Sequence, residues 1–331
     1  MRADLSSLAK LAWLAALGVA APAAAQSVQS ISPASPDLGN VVSAASGDTV
    51  FRVSAGTGTV TRISGNGTRL GTATTRALVT VSCPTGVCRN NNINVRIGSI
   101  GAPTARAGQL TNFTVSGATA TIVAGPSGTN PIDFTIGPMG SSGTATFWVG
   151  GDLPIRGNEA STPTGAATSG FYVYVASQGT PVAGSTAGLA VANVFRPIAV
   201  SSLTPLAFGR IVRPTTGTGL VTIAAATGAR TVTGTGAAAI ASPAPSRATY
   251  SVTGEGRQSF SLGFPASFQM TGPGTPLTVT LTSTASGSQS LSGAAGTGGT
   301  FSFGMGGAFP ISSTTASGSY RGTYAVTVQY N

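Results

Sequence analysis

This chain of 331 residues holds few side chains of the kind that catalyse. It has no His, and its single Lys is Lys10. A histidine-based triad, histidine acid–base chemistry and a His-ligated zinc site are therefore excluded. A Schiff-base or phosphate-loop lysine would have to be Lys10. Seven carboxylates are all the acid available, and Asp133, Asp152 and Glu159 are most of those in the first half. A carboxylate pair is the machinery of a glycosidase, but the spacing of these three selects no such geometry. Asp152 follows Gly150 and Gly151, which reads as a turn. The chain is read as a non-enzyme, with no cofactor and no metal.

Cys83 and Cys88 are the only cysteines. In an exported chain they pair, closing a short loop around Pro84 and Gly86 that constrains little chain entropy. Trp148 sits between Phe147 and Val149, so strand alternation turns it to the opposite face. An outward indole either stacks on a sugar or hydrophobic surface as a ligand residue, or covers a sandwich edge. Asn90, Asn91 and Asn92 read as a turn before a strand over 92–97, or as a ligand loop.

The N-terminus reads as an address. Arg2 and Lys10 flank an apolar run over 11–20, and Pro22 with Ala23, Ala24 and Ala25 supplies a small-residue cleavage pattern. Residues 1–25 are therefore expected to be a secretory signal peptide. The run is short for a membrane span. The remaining chain carries 15 Arg and 6 acidic residues, a net charge of +9. Those arginines are dispersed from Arg52 to Arg321, whereas nucleic-acid surfaces cluster them, so no nucleic-acid partner is expected.

These residues must be positioned by strands. The chain is 41% apolar and only 7% charged, a composition that buries a core. Val, Thr, Ile and Phe alternate with polar residues in short runs punctuated by Gly, Pro, Ser and Asn, and no helical period stands out. Many short strands per 150 residues indicate a sandwich. A transmembrane barrel would also alternate, but 6% aromatic content is thin for its girdles.

The strands fall into two related halves. Residues 143–155 (GTATFWVGGDLPI) and 299–311 (GTFSFGMGGAFPI) are identical at seven of thirteen positions. Leu38-Gly39-Asn40-Val41-Val42 parallels Phe208-Gly209-Arg210-Ile211-Val212. Phe113-Thr114-Val115-Ser116-Gly117 parallels Tyr250-Ser251-Val252-Thr253-Gly254. Gly170-Phe171-Tyr172-Val173-Tyr174 parallels Gly322-Thr323-Tyr324-Ala325-Val326. The order is the same in both halves, as expected of tandem copies over 26–180 and 181–331. At the C-terminus, 320–331 alternates with a period of two, placing Tyr324, Val326, Val328 and Tyr330 on one face. This strand closes a core, serves as an edge for a partner strand, or does both.

These motifs resemble a bacterial domain-of-unknown-function family, number forty-four-zero-two, itself similar to archaic chaperone–usher pilins and spore-coat-U-like proteins. The second half matches best and the first is a divergent copy. The resemblance implies an all-β chain of two immunoglobulin-like, pilin-like sandwiches, completed by strands from neighbours. It further implies a periplasmic chaperone that holds the assembly strand Tyr324, Val326, Val328 and Tyr330, an usher, other pilus subunits, and passage through the periplasm to the cell surface or a fimbria. In such subunits a donor strand precedes the domain. The uncharged stretch 186–195 (TAGLAVANVF) occupies that place, with Leu189, Val191 and Phe195 on one face. Before the first half, 26–31 (QSVQSI) offers no in-phase apolar face, and Pro33 and Pro36 follow. The expectation is a two-domain tip subunit whose head, completed in cis by 186–195, meets a host or abiotic surface. The alternative is a stand-alone secreted or outer-surface protein of two complete sandwiches.

Overall fold

The computed structural model describes residues 29–83, 87–159, 162–177, 179–181 and 186–331. The expected signal peptide and its cleavage point lie outside these residues. The chain is nearly all β, as the alternation and turn chemistry require.

The first half runs β1 (Gln29–Ala34), β2 (Asp37–Val42), β3 (Thr49–Val53), β4 (Val60–Ser64), β5 (Thr68–Arg69), β6 (Ala77–Ser82), β7 (Ile93–Ile100), β8 (Thr111–Gly117), β9 (Ile122–Gly128), β10 (Ile132–Ile136), β11 (Thr144–Ile155), β12 (Gly165–Ala176) and β13 (Thr186–Phe195). One sheet has the order β1-β6-β11-β3-β4, with β8 also on β11; the other has the order β5-β2-β13-β12-β7-β10-β9. Alternation drives each inner face into one core. Ala77, Val79 and Val81 of β6 are buried, as are Ile93, Val95 and Ile97 of β7. The rings of Phe134 on β10 and Phe147 on β11 meet edge-to-face between the sheets, 5.2 Å apart.

The second half runs β14 (Ala199–Thr204), β15 (Arg210–Val212), β16 (Thr218–Ile223), β17 (Arg230–Val232), β18 (Ala238–Ile240), β19 (Ala248–Glu255), β20 (Ser259–Gly263), β21 (Ser267–Met270), β22 (Leu277–Ser283), β23 (Gly287–Ser290), β24 (Gly298–Ser312) and β25 (Thr327–Tyr330). Its larger sheet is β14-β19-β24-β16-β17, with β22 on β24 and β21 on β22. Facing it are a three-stranded sheet, β23-β20-β25, and a separate pair, β15-β18.

The repeated thirteen-residue motif is the centre of both halves. β11 pairs with β6 over 144–149 and with β3 over 151–155, while β8 spans the hand-over. β24 pairs with β19 up to Met305 and with β16 from Gly307, while β22 spans it. The first glycine of each Gly-Gly pair sits at the switch. A Cβ on Gly150 would collide with the Val53 carbonyl, and one on Gly306 with the Ile223 carbonyl. The identity of the motif thus has a steric cause. The 38–42 and 208–212 match also holds locally: Gly39 and Gly209 both adopt positive φ, +67° and +73°. The match of 113–117 with 250–254 does not. The first segment is β8 and the second is β19, which occupies the place of β6. A short aromatic-x-Val-x-Gly pattern fits any strand of this kind.

The two halves differ in their second sheets. β13 lies between β2 and β12, parallel to β2 (Val194 opposite Val41) and antiparallel to β12 from Gly165 opposite Val194 to Val173 opposite Thr186. In the second half no described strand lies between β15 and β25; β15 pairs only with β18 and β25 only with β20. The expected strand over 320–331 is correspondingly cut to Thr327–Tyr330. The cause is visible in β12, whose residues 165–169 pair only with β13. Without that neighbour the stretch before β25 makes only an isolated bridge, Arg321 to Thr271, whatever its alternation. Conversely, Gln29–Ala34, which shows no in-phase apolar face, forms β1 because β6 offers a partner, with a register shift between Ile31 and Ala34 around Pro33.

Candidate functional site

A groove of about 1220 Å³ lies in the second half, between β15 and the segment before β25. Phe208 and Ile211 line it from the β15 side, Phe268, Met270 and Leu277 from β21 and β22, Phe309 and Ile311 from β24, and residues 315–323 from the segment before β25. The aromatic rings of Phe208 and Phe309 meet edge-to-face at 4.8 Å. Its apolar walls are incompletely covered: Leu206, Ile211, Phe268 and Leu277 are only half-buried against their core, as are Tyr324, Val326 and Val328 beyond the groove. Arg210, Arg213 and Arg321 also line the groove, and all three are exposed. Arg213 Nη1 donates to the Thr315 carbonyl at 2.6 Å.

The four residues of the expected assembly strand are brought together only in part. Val328 lies opposite Leu262 and Tyr330 opposite Phe260 on β20, while Tyr324 and Val326 precede the strand. The Tyr324 hydroxyl lies 3.0 Å from that of Tyr250, with the ring 5.0 Å from Phe268. Burial, then the Tyr250 hydrogen bond, pushes the Tyr324 phenol well above its usual range. Tyr330 is buried; its hydroxyl donates to the Arg196 carbonyl at 2.9 Å and accepts the Glu255 N–H at 2.6 Å.

β13 shows how such a groove is filled, and it corrects the expected face. Leu189 is 49% exposed and Val191 half-buried, whereas Ala190, Ala192 and Val194 are fully buried in the first core. The reason is space. The Phe171 ring lies where a Cβ on Gly188 would stand, so the face turned inward is the small one. Phe195 is buried instead in the second core, 5.9 Å from the Tyr330 ring. The end of β13 is clamped from both halves. The Phe195 carbonyl accepts from the Ser43 N–H at 3.0 Å, and Arg196 pairs with buried Glu255 at 3.6 Å. Arg106, also buried, donates to Ser43 Oγ and to Asn158 Oδ1 at 2.6 and 2.9 Å. Nothing in the sequence around Arg106 signals that role; Phe208 and Arg210, by contrast, were traceable through their match to β2, which lies beside β13.

The remaining candidates are scattered. Trp148 faces out as alternation requires, and the Arg76 guanidinium covers its ring at 3.9 Å. Asp152 is not in a turn: it lies on β11 opposite Arg52 and takes a bidentate ion pair from it at 2.6 and 2.7 Å. Asp133 is held in the same way by Arg96 on the neighbouring strand, and Glu159 accepts the Gly47 N–H. Each carboxylate is thus engaged at a different place. No group of three or more potential metal ligands occurs among the described residues. Cys83 and Cys88 are disulfide-bonded. The loop they close, 84–86, lies outside the described residues, and a short helical turn, Val87–Asn90, leads into β7.

Residues 198–330 match the family model "Domain of unknown function (DUF4402)". No curated protein matches. Among solved structures, the chain is similar at 9% identity to a chain of the chaperone–tip adhesion subunit pre-assembly complex from archaic chaperone–usher Csu pili of Acinetobacter baumannii. The match covers 90% of this chain and 100% of that one, with a TM-score of 0.27. A chaperone–tip adhesin complex of CFA/I fimbriae biogenesis matches at 9% identity, 90% and 97% coverage and a TM-score of 0.24. Likenesses of this size carry no functional weight by themselves.

Proposed function

We propose that the chain, whose residues 198–330 carry the DUF4402 pattern, is an exported, non-enzymatic subunit of a surface fibre of the pilus type that assembles by strand pairing. One observation carries the reading: two halves of related topology differ by one strand, present as β13 in the first and replaced by an open groove in the second. Unsatisfied ladder edges and half-covered apolar walls are what a partner strand relieves. The first half, completed within the chain, is the head that meets a host or abiotic surface. The second half accepts a strand, first from a periplasmic chaperone and then, at an usher, from the next subunit. A chain that accepts a strand while its own β13 is engaged internally belongs at a fibre tip.

Calorimetry of the chain from residue 26 onward tests this. Two transitions are expected, and extended apolar peptides should raise only the lower one. Hydrogen exchange should then show amides 322–326 gaining protection as the short C-terminal strand lengthens. Two high transitions indifferent to every peptide would mean complete sandwiches and a stand-alone surface protein.

A further inference from the structure

Resting on the reading that a strand fills the groove, we infer that this strand belongs to a different protein, is bulky on its inward face and carries carboxylates beside that face. Two independent observations lead there. The first is volume. In the first half, Phe171 projects from β12 into the space under β13, so the filling strand need present only Gly188, Ala190, Ala192 and Val194. In the corresponding segment of the second half the inward ring is that of Tyr324, which packs on Phe268 and against the Tyr250 hydroxyl and does not line the groove. The space that the first half fills from its own strand is left to the incoming one, between walls that include Phe208, Phe309 and Ile311. A row of methyl groups would leave cavities there, whereas Leu, Ile or Phe at alternate positions would fill it.

The second observation is charge. Arg210, Arg213 and Arg321 line the groove, and no carboxylate does. The only carboxylate after residue 195 is Glu255, which is buried at the junction and paired with Arg196. Three exposed guanidinium groups beside an apolar slot select a strand with Asp or Glu on its outward positions or flanks. The chain's own β13, TAGLAVANVF, is uncharged and small on its inward face. A second copy of this chain is therefore the wrong donor on both counts.

Fluorescence anisotropy on the chain from residue 26 onward tests the inference with four labelled peptides. They are the β13 sequence, a decapeptide with Leu, Ile or Phe at alternate positions and flanking Asp, the same peptide with Asn for Asp, and a scrambled acidic control. The acidic bulky peptide should bind best, losing about tenfold when Asp becomes Asn at low salt. The gap should close at high salt. Replacing Arg210, Arg213 and Arg321 by Gln should abolish that gap, with an unchanged far-ultraviolet circular dichroism spectrum showing that the variant is folded. Equal binding of the Asp and Asn peptides overturns the charge assignment. Equal binding of the β13 peptide, or concentration-dependent self-association of the chain, overturns the assignment to a different protein. Equal binding of the scrambled control reduces the effect to non-specific attraction and overturns the inference. Failure of every extended peptide to bind sinks the strand-accepting function itself.

Discussion

Tyr330 joins three parts of the molecule through one hydroxyl. It satisfies the Glu255 N–H and the Arg196 carbonyl while its ring packs on Phe195. Tyr330→Phe keeps the ring and strands both backbone groups. It should lower the second half's stability by about 1–3 kcal/mol, read as a shift of the lower unfolding transition. Burial raises the phenol's pKa above its ordinary value of 10.0, as it does for Tyr324. The folded state therefore favours the neutral form. The stabilisation is fully present below pH 10 and is lost as pH climbs through the raised values. The lower transition should fall in alkali, less steeply in Tyr330→Phe. Tyr330 was legible in the sequence as the end of an alternating run. Arg106 was not, because its partners Ser43 and Asn158 lie 63 and 52 residues away.

The strands show where pattern suffices and where it does not. β7 appears where a strand over 92–97 is expected, since β10 and β12 give it a ladder on both sides. Alternation over 320–331 is as regular, yet only four residues form a strand, because pairing is a property of two segments and β25 has only β20 beside it among the described strands. β13 was legible as an uncharged strand before the second half, but its inward face was not. The larger side chains would be the natural choice for a core, and the Phe171 ring, contributed by another strand, forbids them. The Gly-Gly motif, visible as an internal repeat, marks a steric necessity. Gly306→Ala should destabilise the second half by about 1–3 kcal/mol, as over-packing does, since the new methyl meets backbone that cannot rotate away. Gly150→Ala should act likewise on the first half. A melt of each variant reads the effect, and an unchanged transition would refute the hand-over role.

At the scale of the whole molecule, the two sandwiches share one design and differ in one strand. The repeat made the tandem organisation readable; the difference between its copies required knowing which strands touch. That difference predicts separable behaviour. Ala190→Asp places an unpaired charge in the first core, where such a group costs about 3–5 kcal/mol. The upper transition should collapse toward the lower one, while binding of a strand peptide in the second-half groove persists. Loss of both together would mean that the halves are not independent in this sense.

In the proposed fibre, the placement of β13 would also set how the chain bears load. It is the strand that closes the first sandwich and, through Phe195, the tether to the second. Tension between a gripped surface and a fibre would run along its length, parallel to the ladders that hold it against β2 and β12. Hydrogen bonds loaded in shear yield together, not one after another as in a peeled hairpin. The tether would part only by drawing a whole strand out of a closed core.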